Sequence, residues 1–116
     1  MAGKARYLFI VSMDVDPDKE ALFNEVYDTE HIPLILGVPG VLSARRSTLE
    51  PLTLFIGGER KTIAADGEPR YSALYELESP AVLLSKAWAK AVDSGRWPLE
   101  VRPYTRNRRH LLRRLI

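Results

Sequence analysis

His31 and its neighbours are the residues whose types and spacing suit chemistry. His31 is one of two histidines in a 116-residue chain without cysteine. It stands one helical turn beyond Tyr27 and directly after Glu30. A neutral imidazole transfers protons well near pH 7, and an adjoining carboxylate would orient it and raise its pKa. The competing reading is a helix-terminal histidine that bonds the last carbonyls. His110 lies among arginines in the last strand-like segment, where neighbouring positive charge disfavours protonation, and reads as structural.

The helix that would carry His31 begins near Asp16-Pro17, a good N-cap followed by a proline suited to the first helical position. On a wheel of about 100° per residue with Asn24 at zero, Leu22, Phe23, Val26 and Tyr27 span roughly 160° to 300°, the core-facing arc. Asn24, Asp28 and His31 cluster near zero, which makes Asn24 and Asp28 candidate substrate-binding residues beside His31. Glu30 falls near 240°, inside the apolar arc, where a carboxylate needs a partner or a proton. Either Pro33 bends the helix and releases Glu30, or Glu30 faces a pocket with Arg45 or Arg46 as partner. Pro33 removes the bond to Thr29, and a short second helical piece over 33–36 is expected to end at Gly37.

Strands are expected over 6–14, 41–49, 70–78 and 103–115, and a second helix over 81–94 after Ser79-Pro80. Within a polar, Gly-rich stretch at 50–69, residues 52–56 and 61–64 could pair as a small hairpin. The order is βαβ, a hairpin-like insert, then βαβ. That order predicts an α+β, ferredoxin-like βαββαβ fold with an antiparallel sheet and both helices on one face. The first strand is apolar on both sides: Tyr7, Phe9, Val11 and Met13 on one, Leu8 and Ile10 on the other. Leaving one of these faces bare is rare for a monomer, so a homodimer with two sheets packed face to face is expected.

Composition narrows the remaining classes. The hydrophobic share of 46% and the charged share of 28% are ordinary for a globular chain, and one domain spanning 1–116 is expected. The absence of cysteine excludes disulfides and thiolate chemistry. No apolar run is long enough to span a bilayer, and the opening residues lack the apolar stretch of a signal peptide, so a soluble, cytoplasmic protein without a membrane partner is expected. The net charge of +2 conceals an asymmetry: residues 102–116 hold six arginines and no acid, leaving −4 over residues 1–101. A nucleic-acid role would need stacking aromatics or a known module beside these arginines, and neither is present; the preferred reading is a final strand whose long side chains reach solvent or meet acids elsewhere, with nucleic-acid contact as the remote alternative. Phosphate-loop, dinucleotide and zinc-protease motifs are missing, and no metal site is expected. Tyr75 and Trp88 are mainly core by type, but could line an apolar pocket between sheet and helices.

The stretch from Asn24 to Pro33, with its Tyr-Asp-x-Glu-His-x-Pro block, followed by Gly37-Val38-Pro39-Gly40-Val41 and Ala44-Arg45-Arg46, resembles the dimeric α+β-barrel superfamily. It is most similar to the EthD-like branch of small uncharacterised proteins. Arg70-Tyr71, the segment 73–77 and the Trp88 helix extend the resemblance over nearly the whole chain. The resemblance implies a homodimeric barrel with a pocket between sheet and helices, and a small-molecule ligand. It implies cofactor-independent isomerase, monooxygenase or cyclase chemistry on an apolar or aromatic carbonyl or lactone compound. His31 would transfer the proton, with Tyr27 and Glu30 supporting it; Asn24, Asp28, Arg45, Tyr75 and Trp88 are candidate binding residues. Haem is not expected, because the second helix has no histidine to ligate it. The 50–69 insert would act as a dimer arm or lid. A ligand-binding or stress-associated module without turnover is the alternative.

Overall fold

The computed structural model describes residues 6–116; the signal-peptide reading concerns residues that lie partly outside that range. The elements in order are β1 (Tyr7–Val15), a 3-10 turn (Pro17–Lys19), α1 (Glu20–Val26), a π-helical turn (Tyr27–His31), α2 (Ile32–Leu36) and β2 (Val41–Thr48). Then come β3 (Leu52–Ile56), β4 (Glu59–Ile63), β5 (Tyr71–Leu77), a 3-10 turn (Pro80–Leu84) and α3 (Lys86–Val92). A second π turn (Trp97–Val101) and a short 3-10 turn (Arg102–Tyr104) lead to β6 (Thr105–Arg114). The main sheet runs β2-β5-β1-β6, with every neighbouring pair antiparallel. This is the expected α+β, ferredoxin-like order with the hairpin inserted between its second and third strands. Among the described residues no helix is long and apolar enough to cross a membrane.

Register assigns the two sheet faces. Directly opposed residues of antiparallel strands share a face. Phe9 opposes Tyr75, and Val11 opposes Ala73 and His110. This face carries the helices, and its core includes Met13, Phe23, Val26, Tyr75, Leu77 and Trp97. The other face presents Leu8, Ile10, Leu74 and Leu111, rimmed by Arg45, Glu76, Arg109 and Arg113. Of the two alternatives for the uncovered side, the structure therefore selects the Leu8–Ile10 side.

Three local details differ from expectation. Asp16 sits at the N-cap position, but its side chain does not cap the turn and pairs with Arg106 instead. The helix expected over 81–94 is split, because Ser85 is extended and caps α3 through the Trp88 N–H at 3.1 Å. Leu84, ahead of that break, is thrown into solvent. The hairpin turn is two residues rather than four: Gly57 (φ 60°) and Gly58 (φ 82°) supply the paired left-handed conformations of a tight hairpin turn. The hairpin stands apart from the main sheet, with Phe55 76% exposed.

Candidate functional site

The π turn decides which side chain enters the space under the sheet. Pro33 has no N–H to give Thr29, and the Ile32 N–H reaches back five residues to the Tyr27 carbonyl. Such a turn inserts roughly one residue relative to a regular helix, so later side chains rotate back by about 100°. His31 thereby takes the direction, about 240°, that a uniform wheel gives Glu30. Ile35 moves in the same sense, from the Asn24 side into the core, and is 1% exposed. His31 is 5% exposed and stacks on Trp97, with ring centroids 4.5 Å apart and planes 26° apart. Tyr27 meets its edge at 5.1 Å.

Glu30, displaced outward, accepts from the Arg96 backbone N–H at 2.9 Å and from its Nε. These bonds, the backbone one foremost, hold its carboxyl below the usual range. Arg96 also pairs with Glu25 at 2.9 Å. Glu30's partner is therefore neither Arg45 nor Arg46, and its carboxylate is committed away from the imidazole it was expected to orient. Gly95 (φ 71°) lets the chain press against this carboxylate: a Cβ there would lie 2.6 Å from Glu30 Oε1.

A cavity of about 280 Å³ opens between sheet and helices, with Phe9, Tyr27, His31, Tyr75, Trp88 and Trp97 among its walls. The fold thus gathers His31, Tyr27, Tyr75 and Trp88 from three elements, the π turn, β5 and α3. Asn24 and Asp28 do not reach it; both accept from Arg46, at 2.8 Å each, along the edge of α1. The Arg46 guanidinium lies 4.5 Å over the outer face of Tyr27. Arg45 stands on the opposite face of the sheet, beside Leu74.

Sequence reasoning missed all the basic wall residues other than His31: Arg102, Arg108 and His110. Arg102 is held by the Val92 carbonyl at 2.8 Å and by Asp93 at 2.7 Å. From Arg114 to Arg109, β6 pairs residue for residue with Tyr7–Ser12, so Leu112 and His110 oppose Phe9 and Val11 on the helix face, and Arg108 continues that alternation to the cavity. Between the pairs Ser12–Arg109 and Asp14–Arg106, β6 uses one residue more than β1. The extra residue, a β-bulge, reverses the alternation beyond it, so Arg106, which would otherwise share the helix face with Arg108, opposes Asp14 on the same side as Arg109. Asn107 takes the bulge conformation at φ 53°, which asparagine tolerates better than most residues. Its amide donates to Asp14 Oδ2 and the Gly67 carbonyl, both at 3.0 Å. That single asparagine before two arginines was the available signal.

The electrostatics suit an uncharged acid–base pair. Burial pushes the His31 imidazole down to about 4, and the charge of Arg102 adds in the same direction. Its Nδ1 is buried without any hydrogen-bond partner. The sign is opposite to the increase expected from a carboxylate neighbour. Burial also raises both Tyr27 and Tyr75, so each keeps its hydroxyl proton. His110 is lowered by burial and then by Arg108. At neutral pH the site holds two neutral imidazoles and two phenols, with cations only from the arginines.

This has a consequence for stability. The unfolded chain takes up the His31 proton near pH 6.5, the folded chain only near 4. Stability from this group is complete above about pH 6.5 and falls as pH drops toward 4. At pH 5 the loss is about 2 kcal/mol. His31→Phe, which can keep the stack on Trp97 without a titrating group, is expected to lose that much less than the wild type between pH 7.5 and 5 in urea titrations. Equal losses would mean that His31 is not held neutral.

No protein-family model matches the chain, and no curated protein does. Among solved structures, the chain is similar to an ethyl tert-butyl ether D (EthD) family protein from Bacillus halodurans. The two share 8% identity, with a TM-score of 0.59 over 95% of this chain and 99% of the other. At that identity the likeness establishes an EthD-like α+β fold.

Proposed function

We propose that the protein is a small cofactor-independent enzyme acting on an apolar or aromatic carbonyl or lactone compound, by proton-transfer or oxygenation chemistry of the isomerase, monooxygenase or cyclase type. The observation that carries this reading is the buried, uncharged His31 with an unpartnered Nδ1 at the wall of an aromatic cavity. Buried polar atoms are nearly always bonded, and an unpaired one beside a cavity is explained by a ligand that supplies the missing partner. A neutral imidazole removes a proton from carbon next to a carbonyl, and the Tyr27 or Tyr75 hydroxyl donates to the developing enolate oxygen. Trp88, Trp97 and Phe9 hold the planar body of the substrate and exclude water.

A second reading is favoured by the loss of Glu30 to Arg96. Without a carboxylate to orient and charge it, His31 is a weak base, as a binding module without turnover would allow. Time courses with a panel of aromatic ketones and lactones separate the two. Product accumulating with wild type and not with His31→Ala supports the enzyme; saturable binding without product supports the module.

The uncovered Leu8–Ile10–Leu74–Leu111 face supports a homodimer in which two such sheets pack together, with residues 50–69 as an arm. A native mass of twice 13.1 kDa at micromolar concentration is expected; a monomer mass would remove the proposal.

A further inference from the structure

We propose that the ligand of this cavity is an aromatic carboxylic acid, its carboxylate seated on Arg108. The inference rests on the cavity being the ligand site, and adds the charge of what enters it. The cavity wall contains two arginines, two histidines and no acidic residue. Arg102 has a partner in Asp93. Arg108 forms no ion pair with any described carboxylate, and residues 1–5 contain none. Two of its neighbours in the tail make different choices: Arg106 pairs with Asp16, and Arg109 with Glu68 and the Gly67 carbonyl, both away from the cavity.

The bulge makes this arrangement specific. Without the extra residue, an uninterrupted strand would put Arg106 on the helix face beside Arg108. The bulge, fastened by Asn107 to Asp14 and Gly67, turns Arg106 away toward Asp16 and leaves Arg108 as the unpaired guanidinium at the aromatic hollow. The charge of Arg108 is felt there: after burial it lowers His110 further, and it opposes part of the burial-driven rise of Tyr27. A guanidinium binds a carboxylate through two parallel N–H donors, a geometry that neutral ketones and lactones do not use. Aromatic walls with a cation at the exposed end match a flat ring bearing one carboxylate.

The test is isothermal titration of 2-naphthoate and its uncharged analogue 2-naphthamide, at about 50 mM salt because the site is open to screening. Wild type is expected to bind naphthoate about tenfold to a hundredfold tighter than naphthamide, the range for charge-assisted bonds. Arg108→Gln is expected to erase that preference while leaving naphthamide affinity unchanged. Arg113→Gln, on the opposite sheet face, is expected to keep it. Equal affinities in wild type, or a preference that survives Arg108→Gln, would overturn the carboxylate assignment while leaving the cavity as a ligand site. Binding of neither compound would overturn both.

Discussion

Replacing His31 by alanine is expected to lower turnover of the cavity's substrate by about 10²–10⁴-fold, the usual worth of a positioned general base. The fold is expected to persist. The imidazole contributes a ring stack and an edge contact to the core, but its Nδ1 forms no hydrogen bond that the sheet depends on. The loss is expected mainly in kcat, since the imidazole acts on the reacting proton rather than on the aromatic body that binding depends on. A rise in KM at constant kcat would make His31 a binding residue. Unchanged turnover in a folded variant would remove it from the mechanism.

Trp97→Ala is expected to be the most destabilising single change near the site, by about 3–5 kcal/mol. Trp97 is buried against Phe23, Tyr27 and His31, with centroids 6.0, 4.9 and 4.5 Å away. It begins the second π turn and therefore ties the final crossover to the histidine helix. Removing it opens a large void beneath His31 that rigid strands cannot close. Urea unfolding measures the effect. A loss below about 1 kcal/mol would mean that the two π turns do not depend on each other.

The architecture was legible because alternating apolar residues and proline-led helix starts are local signals. Tyr7 to Met13, Tyr71 to Leu77 and Ser79-Pro80 each announce an element without reference to the rest. The cavity was half legible: Tyr27, Tyr75 and Trp88 follow from placing those elements on one sheet face. The direction of His31 was not, because a wheel assumes a constant step and the turn at Tyr27–His31 breaks it. Pro33 signalled a disturbance, but not whether the helix would bend or widen. The contrast between Arg108 and Arg106 was hidden for the equivalent reason in a strand: plain alternation would group the two, and one bulged residue separates them. Glu30 could not be paired from sequence, since Arg96 is 66 positions away and is brought close only by the final crossover.

The account depends on the widened turn that exchanges Glu30 for His31 at the cavity wall. The most direct measurement is an NMR titration of the His31 ring in a His110→Gln background, which leaves a single imidazole to follow. The structure predicts a neutral ring with no inflection between about pH 5.5 and 8, and protonation only near 4. An inflection near 6.5, the value of a solvent-exposed histidine, would place the ring outside the core on a regular helix and contradict the account.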